Sequence, residues 1–81
     1  MRVKVRVFAR LRELAGREAW DCDVPAGASV ADVWRQVARD DDRLTPFEPV
    51  VSFALNSSFA SRNTPVQEGD EIAVLPPVSG G

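Results

Sequence analysis

The group with the most chemistry to offer is the end of the backbone. The chain closes on Leu75-Pro76-Pro77-Val78-Ser79-Gly80-Gly81. Two terminal glycines place no side chain around the last carboxylate, so a narrow active site can admit the backbone and reach the carboxyl carbon. That carboxylate is ionised at neutral pH, with a reference pKa of about 3.5, and is a poor electrophile as it stands. Reaction there requires an external enzyme to activate it as a mixed anhydride such as an acyl-adenylate, which a sulfur or nitrogen nucleophile then attacks. Pro76 and Pro77 oppose helix and favour an extended polyproline path. Six extended residues span on the order of 20 Å, enough to thread into a partner's pocket. Residues 76–81 therefore read as an extended, flexible tail on a domain of residues 1–75.

The side chains offer little beside it. There is no histidine, so neither a Ser/His/Asp nor a Cys/His nucleophile pair can be assembled within the chain, and zinc sites of the usual Cys/His types are excluded. No metal site is expected. No phosphate-binding glycine loop occurs; Gly16, Gly27 and Gly69 fall at predicted element ends, where turn geometry explains them. The lone Cys22 alternates in phase with Trp20 and Val24, which reads as a buried structural thiol. Lys4 is the only lysine, a poor basis for chain-forming conjugation. The chain is not expected to be catalytic by itself.

At 81 residues, with 44% hydrophobic and 27% charged residues, the composition is that of one small globular domain. The formal net charge of -2 lacks the basic footprint that neutralises phosphates, which argues against nucleic acid. Basic residues still gather early, at Arg2, Lys4, Arg6, Arg10, Arg12 and Arg17; a solvated edge strand and helix is the favoured reading of them, with a locally positive face as the lesser alternative. A single cysteine, no signal-like start and no apolar stretch of bilayer length lead to the expectation of a cytoplasmic protein without membrane contact.

Four strands, one main helix and one short helix must position the tail. Arg2 to Ala9 alternates as a half-buried strand with Val3, Val5 and Val7 on one face, and Arg10 to Gly16 fits a short helix closed by glycine. Trp20, Cys22 and Val24 mark a second strand. Ser29 is placed to cap a helix whose Val30, Val33, Trp34, Val37 and Ala38 form one apolar stripe, fraying at Asp40-Asp41-Asp42 into a solvated loop. Val51, Phe53 and Leu55 give a third strand before the turn residues Asn56-Ser57-Ser58. Gln67-Glu68-Gly69-Asp70 turns into a last strand, Glu71 to Leu75, which feeds the tail. The order strand, strand, helix, strand, strand is an α+β one.

Three apolar residues stand where polar ones are expected. Phe8 lies on the charged face of its strand, Phe59 among serines, and Leu75 out of phase with Ile72 and Val74. Clustered, they would make an exposed patch near the tail for a partner to bind.

At Gly69-Asp70-Glu71-Ile72-Ala73-Val74-Leu75-Pro76-Pro77-Val78-Ser79-Gly80-Gly81 the sequence resembles the small subunit of molybdopterin synthase, the MoaD-type ubiquitin-like sulfur carriers of the MoaD/ThiS family. Phe8-Ala9-Arg10-Leu11-Arg12-Glu13-Leu14-Ala15-Gly16 is similar to that family's strand-to-helix segment, so the resemblance spans essentially the whole chain. It implies a β-grasp fold, a mixed sheet curled around one main helix. It also implies a cycle in which an E1-like adenylyltransferase uses ATP to adenylate Gly81. A sulfur donor, such as a cysteine desulfurase or rhodanese-like protein, then makes the thiocarboxylate, and the large subunit passes that sulfur to precursor Z. Two carriers supply the dithiolene of molybdopterin, in a heterotetramer of two small and two large subunits. By the resemblance Gly81 holds the sulfur and Gly80 gives access to it. Beside this, the residues expected to meet partners are Phe8, Phe59 and Leu75 of the apolar patch and Pro76, Pro77, Val78 and Ser79 of the tail, and no cofactor is expected to be bound by the chain itself. A thiamine-pathway sulfur carrier, a ubiquitin-like modifier joined to lysines through Gly81, and a passive interaction domain stand as alternatives.

Overall fold

The computed structural model describes residues 1–77. Eight elements follow one another: β1 (Arg2–Val7), α1 (Ala9–Ala15), β2 (Ala19–Asp23), α2 (Val30–Arg39), a 3-10 turn at Thr45–Phe47, β3 (Ser52–Leu55), β4 (Ser58–Ala60) and β5 (Glu71–Leu75). The strands form one mixed sheet in the order β2-β1-β5-β3-β4. β1 and β5 run parallel and every other pair is antiparallel. The last strand in the sequence is thus the central strand in space, and the tail leaves from the middle of the sheet.

Period-two alternation decides which side of the sheet is dry. Val3, Val5 and Val7 of β1, Ile72 and Val74 of β5 and Phe53 of β3 are buried together with Val30, Val33, Trp34, Val37 and Ala38 of α2. Leu11 of α1 and Leu44 close the ends of this core. Trp34 is fully buried, and among the described residues its indole Nε1–H has no acceptor.

Local chemistry sets the element ends. Ser29 Oγ accepts from the Asp32 N–H at 3.1 Å and the Asp32 carboxylate accepts from the Ser29 N–H at 3.0 Å, a reciprocal capping box at the start of α2. Ser29→Ala should lower stability by about 1 kcal/mol, read by chemical denaturation; an unchanged midpoint would show that the box contributes nothing. The Ser29 backbone bond holds the Asp32 carboxyl below its ordinary pKa. A depressed folded-state pKa adds stability above the unfolded carboxylate value, and that increment disappears as pH falls through the folded value. Downstream, the Thr45 hydroxyl donates to Ala38 O at 2.7 Å, and Glu48 pairs with Arg62 at 2.6 Å and Arg35 at 3.4 Å. These contacts pin the long connection after α2.

Two differences from the sequence reading bear on function. β1 stops at Val7, because Phe8 becomes the residue preceding α1 and Ala9 takes φ +51°, which turns the chain out of the strand. Phe59 lies on β4, a three-residue edge strand, and not in a turn. The turn is shorter: Asn56 and Ser57 at φ +49° and +75° form a two-residue hairpin of the kind whose twist matches the flanking strands. With only Ala60 packed against the core, β4 is too short to show an alternation.

Candidate functional site: the outer sheet face and the end of the central strand

Among the described residues no helix packs on the second face of the sheet, and cross-strand register orders its side chains into rows. Arg6 pairs with Ala73, Ala73 with Ala54 and Ala54 with Phe59, so these four lie side by side across β1, β5, β3 and β4. Phe8 and Leu75 each follow the last β1/β5 pair, Val7 and Val74, and are therefore neighbours one step beyond it, with Ser52 opposite Leu75. Phe59 is 87% exposed and Phe8 40%, the former the most open large apolar residue described. Leu75 and Pro76 are half-buried and Pro77 is exposed. The end of β5 thus emerges beside Phe8, on the face that also carries Phe59. Val78, Ser79, Gly80 and Gly81, all expected to take part, lie outside the described residues.

The opposite end of this face is charged but balanced. Arg2 pairs with Asp23 at 3.2 Å and Arg6 with Glu71 at 3.8 Å, and Lys4 stands in register with Asp21 on one side and Glu71 on the other. Three cations on β1 therefore meet Asp21, Asp23 and Glu71 on the flanking strands. A locally positive face, the lesser reading of the N-terminal basic residues, is cancelled here: β1 is not the expected edge strand but lies between β2 and β5, which bring Asp21, Asp23 and Glu71 alongside. Exposed pairs of this kind are individually weak, yet together they leave little net field.

The turn into β5 is built by residues the sequence reading treated only as punctuation. Gly69, at φ +85°, donates to Arg2 O at 2.8 Å, a conformation that side-chain-bearing residues rarely adopt. Asn56 accepts from the Glu71 N–H at 2.9 Å and donates to the Asp70 carboxylate at 3.0 Å, fastening the β3/β4 hairpin to the start of β5. The central strand and the Phe59 hairpin are held as one unit.

No other chemistry competes. Cys22 is buried, and burial pushes its thiol pKa up, away from the reactive thiolate. Among the described residues no acidic, cysteine or histidine group is arranged to hold a metal ion. None of their helices is long and apolar enough to cross a membrane.

A mixed five-stranded sheet curled over one main helix, with the chain leaving from its central strand, defines a ubiquitin-like β-grasp protein. Residues 5–81 match the ThiS family model, and the chain belongs to that family. It is 37% identical over 82 residues to the molybdopterin synthase sulfur carrier subunit of Escherichia coli (strain K12), covering 98% of this chain and 99% of the relative. The solved protein-protein complex of subunits 1 and 2 of molybdopterin-converting factor from Helicobacter pylori 26695 contains a similar chain, with TM-score 0.70 and 29% identity over the full length of both. Small archaeal modifier protein 1 from Methanosarcina acetivorans superposes with TM-score 0.82 at 30% identity, over 99% of this chain and 96% of that one.

Proposed function

We propose that this chain is the sulfur-carrier subunit of a molybdopterin synthase, inert alone and charged at Gly81. The observation that carries the reading is the coincidence of full-length similarity to sulfur carrier subunits with a central strand whose end, at Leu75, Pro76 and Pro77, emerges beside Phe8 on the face that carries Phe59. An E1-like adenylyltransferase joins the Gly81 carboxylate to AMP, releasing pyrophosphate from ATP. The outer sulfur of a donor persulfide attacks the Gly81 acyl carbon and displaces AMP, giving an acyl disulfide; a second thiol then attacks the donor's own sulfur and breaks the S–S bond, leaving Gly81 as a thiocarboxylate and the two thiols as a disulfide. The large subunit accepts the charged chain and directs its sulfur to precursor Z, restoring the carboxylate. ATP belongs to the activating enzyme; the carrier contributes reach and a docking face.

The test is mass spectrometry of the intact chain and its C-terminal peptide after incubation with ATP, a sulfur donor and the E1-like enzyme of the same cell. Replacement of one oxygen by sulfur at Gly81 is the expected result; no change with a demonstrably active enzyme overturns the reading. Docking is tested separately. Phe59→Arg should weaken binding to the large subunit about tenfold or more while leaving the melting temperature intact, since the ring is exposed. Unchanged affinity would remove Phe59 from the interface.

Similarity to small archaeal modifier protein 1 favours a second reading, conjugation to lysines of other proteins. Isopeptide adducts ending in Gly81, formed in extract with ATP, would establish it.

A further inference from the structure

We propose that the free edge of β2 is a second docking site, which takes an extended segment of a partner protein, alternating apolar and basic residues, as an added strand. The inference is independent of what Gly81 carries.

β2 is the outermost strand of the sheet, and among the described residues only β1 pairs with it. The hydrogen bonds at its two ends fix which backbone groups face outward. The Val7 N–H donates to Glu18 O at 3.0 Å, and the Val24 N–H donates to Met1 O at 2.8 Å. Glu18, Trp20, Cys22 and Val24 therefore turn their N–H and C=O groups toward β1, and alternation turns those of Ala19, Asp21 and Asp23 away from it. Gln36 of α2 marks the same direction, donating through Nε2 to Asp23 O at 2.9 Å. Ala19 and Asp21 have no strand to pair with on this side.

Beside this edge lies a cavity of about 450 Å³, walled by Trp20 to Asp23 of β2 and by Gln36, Val37 and Asp40 of α2, with Leu44 beyond. It is on the α2 side of the sheet, and the opposite edge belongs to β4, so an occupant here leaves Phe59 uncovered.

Side chains decide what fits. On the α2 side an added strand meets half-buried Trp20, buried Cys22, Val37 and Leu44, so every second residue of it should be apolar. On the other side Asp21 and Asp23 are exposed and stand beside whatever the strand presents. β1 already displays the pattern that β2 accepts. Its valines are buried, while Lys4 and Arg2 stand in register with Asp21 and Asp23. Arg2 is ion-paired with Asp23 at 3.2 Å, whereas Asp21 has no ion pair among the described residues. A second copy of this edge would set aspartates against aspartates, which disfavours self-pairing. The occupant is therefore a basic strand from another protein, held by main-chain hydrogen bonds and selected by charge.

The test is a nitrogen–proton NMR titration of the full chain with a capped peptide alternating valine and lysine, run against one alternating valine and glutamate. The backbone amides of Ala19, Asp21 and Asp23 and the side-chain amide of Gln36 should shift with the lysine peptide, and added salt should weaken the effect. Asp21→Lys should weaken binding of the lysine peptide about tenfold and strengthen that of the glutamate peptide, because the cross-strand charge is reversed. Asp21→Asn, closer in size, should weaken the lysine peptide about threefold, and thermal melts check the fold of both variants. Absence of shifts at millimolar lysine peptide, shifts confined to the Ser58–Ala60 edge, or equal responses to the two peptides would each overturn the proposal.

Discussion

A chain lacking only Gly81 is expected to fold as the full chain does and to lose sulfur loading by a factor of about one hundred or more. Every buried residue described lies between Val3 and Val74, so the melting temperature should not move. The reacting carboxyl, however, is drawn back by one residue, about 3.5 Å along an extended chain. Misplacement of a reacting group by even about 1 Å can cost on the order of a hundredfold in rate, and here the shift is larger. Gly80 would still present a glycine carboxylate of identical intrinsic reactivity. The comparison therefore isolates reach from chemistry. Adenylate and thiocarboxylate formation, followed by mass spectrometry on the shortened chain, provides the measurement. Loading at Gly80 at the normal rate would show that the activating enzyme does not measure tail length.

Trp34→Ala should be the most damaging single change to the fold, costing about 3 to 5 kcal/mol through lost burial and the cavity left behind. A chain of this length has a total stability of roughly 4 to 12 kcal/mol, so the variant would be partly or wholly unfolded. The side chain is fully buried beneath the sheet. Trp34→Phe should behave differently. It sacrifices some contact area but also removes a buried N–H that has no acceptor among the described residues, a group whose desolvation costs about 1 to 3 kcal/mol. The two effects oppose, and the expected net loss is under about 1.5 kcal/mol by urea denaturation. A loss equal to that of Trp34→Ala would mean that Nε1 is satisfied, for example by a buried water.

Much of this protein is determined by local pattern. The alternating valines of β1, the capped apolar stripe of α2 and the glycine turn before β5 are written within short segments, because strand and helix periods act over a few residues. The absence of histidine and the Gly80-Gly81 pair on which the sulfur-carrier proposal rests are likewise legible without reference to any fold. The rest depends on strand order and register, which join residues far apart in the chain. Only the parallel pairing of β1 with β5 makes Phe8 a neighbour of Leu75, and only the β3/β4 hairpin carries Phe59 into the row of Ala54 and Ala73. The choice between a solvated edge and a positive face at Arg2, Lys4 and Arg6 was likewise decided only by the sheet, where β2 and β5 bring Asp21, Asp23 and Glu71 alongside an interior β1. Periodicity specifies which side of a strand is wet, but what stands next to it there is settled by contacts that only the folded sheet creates.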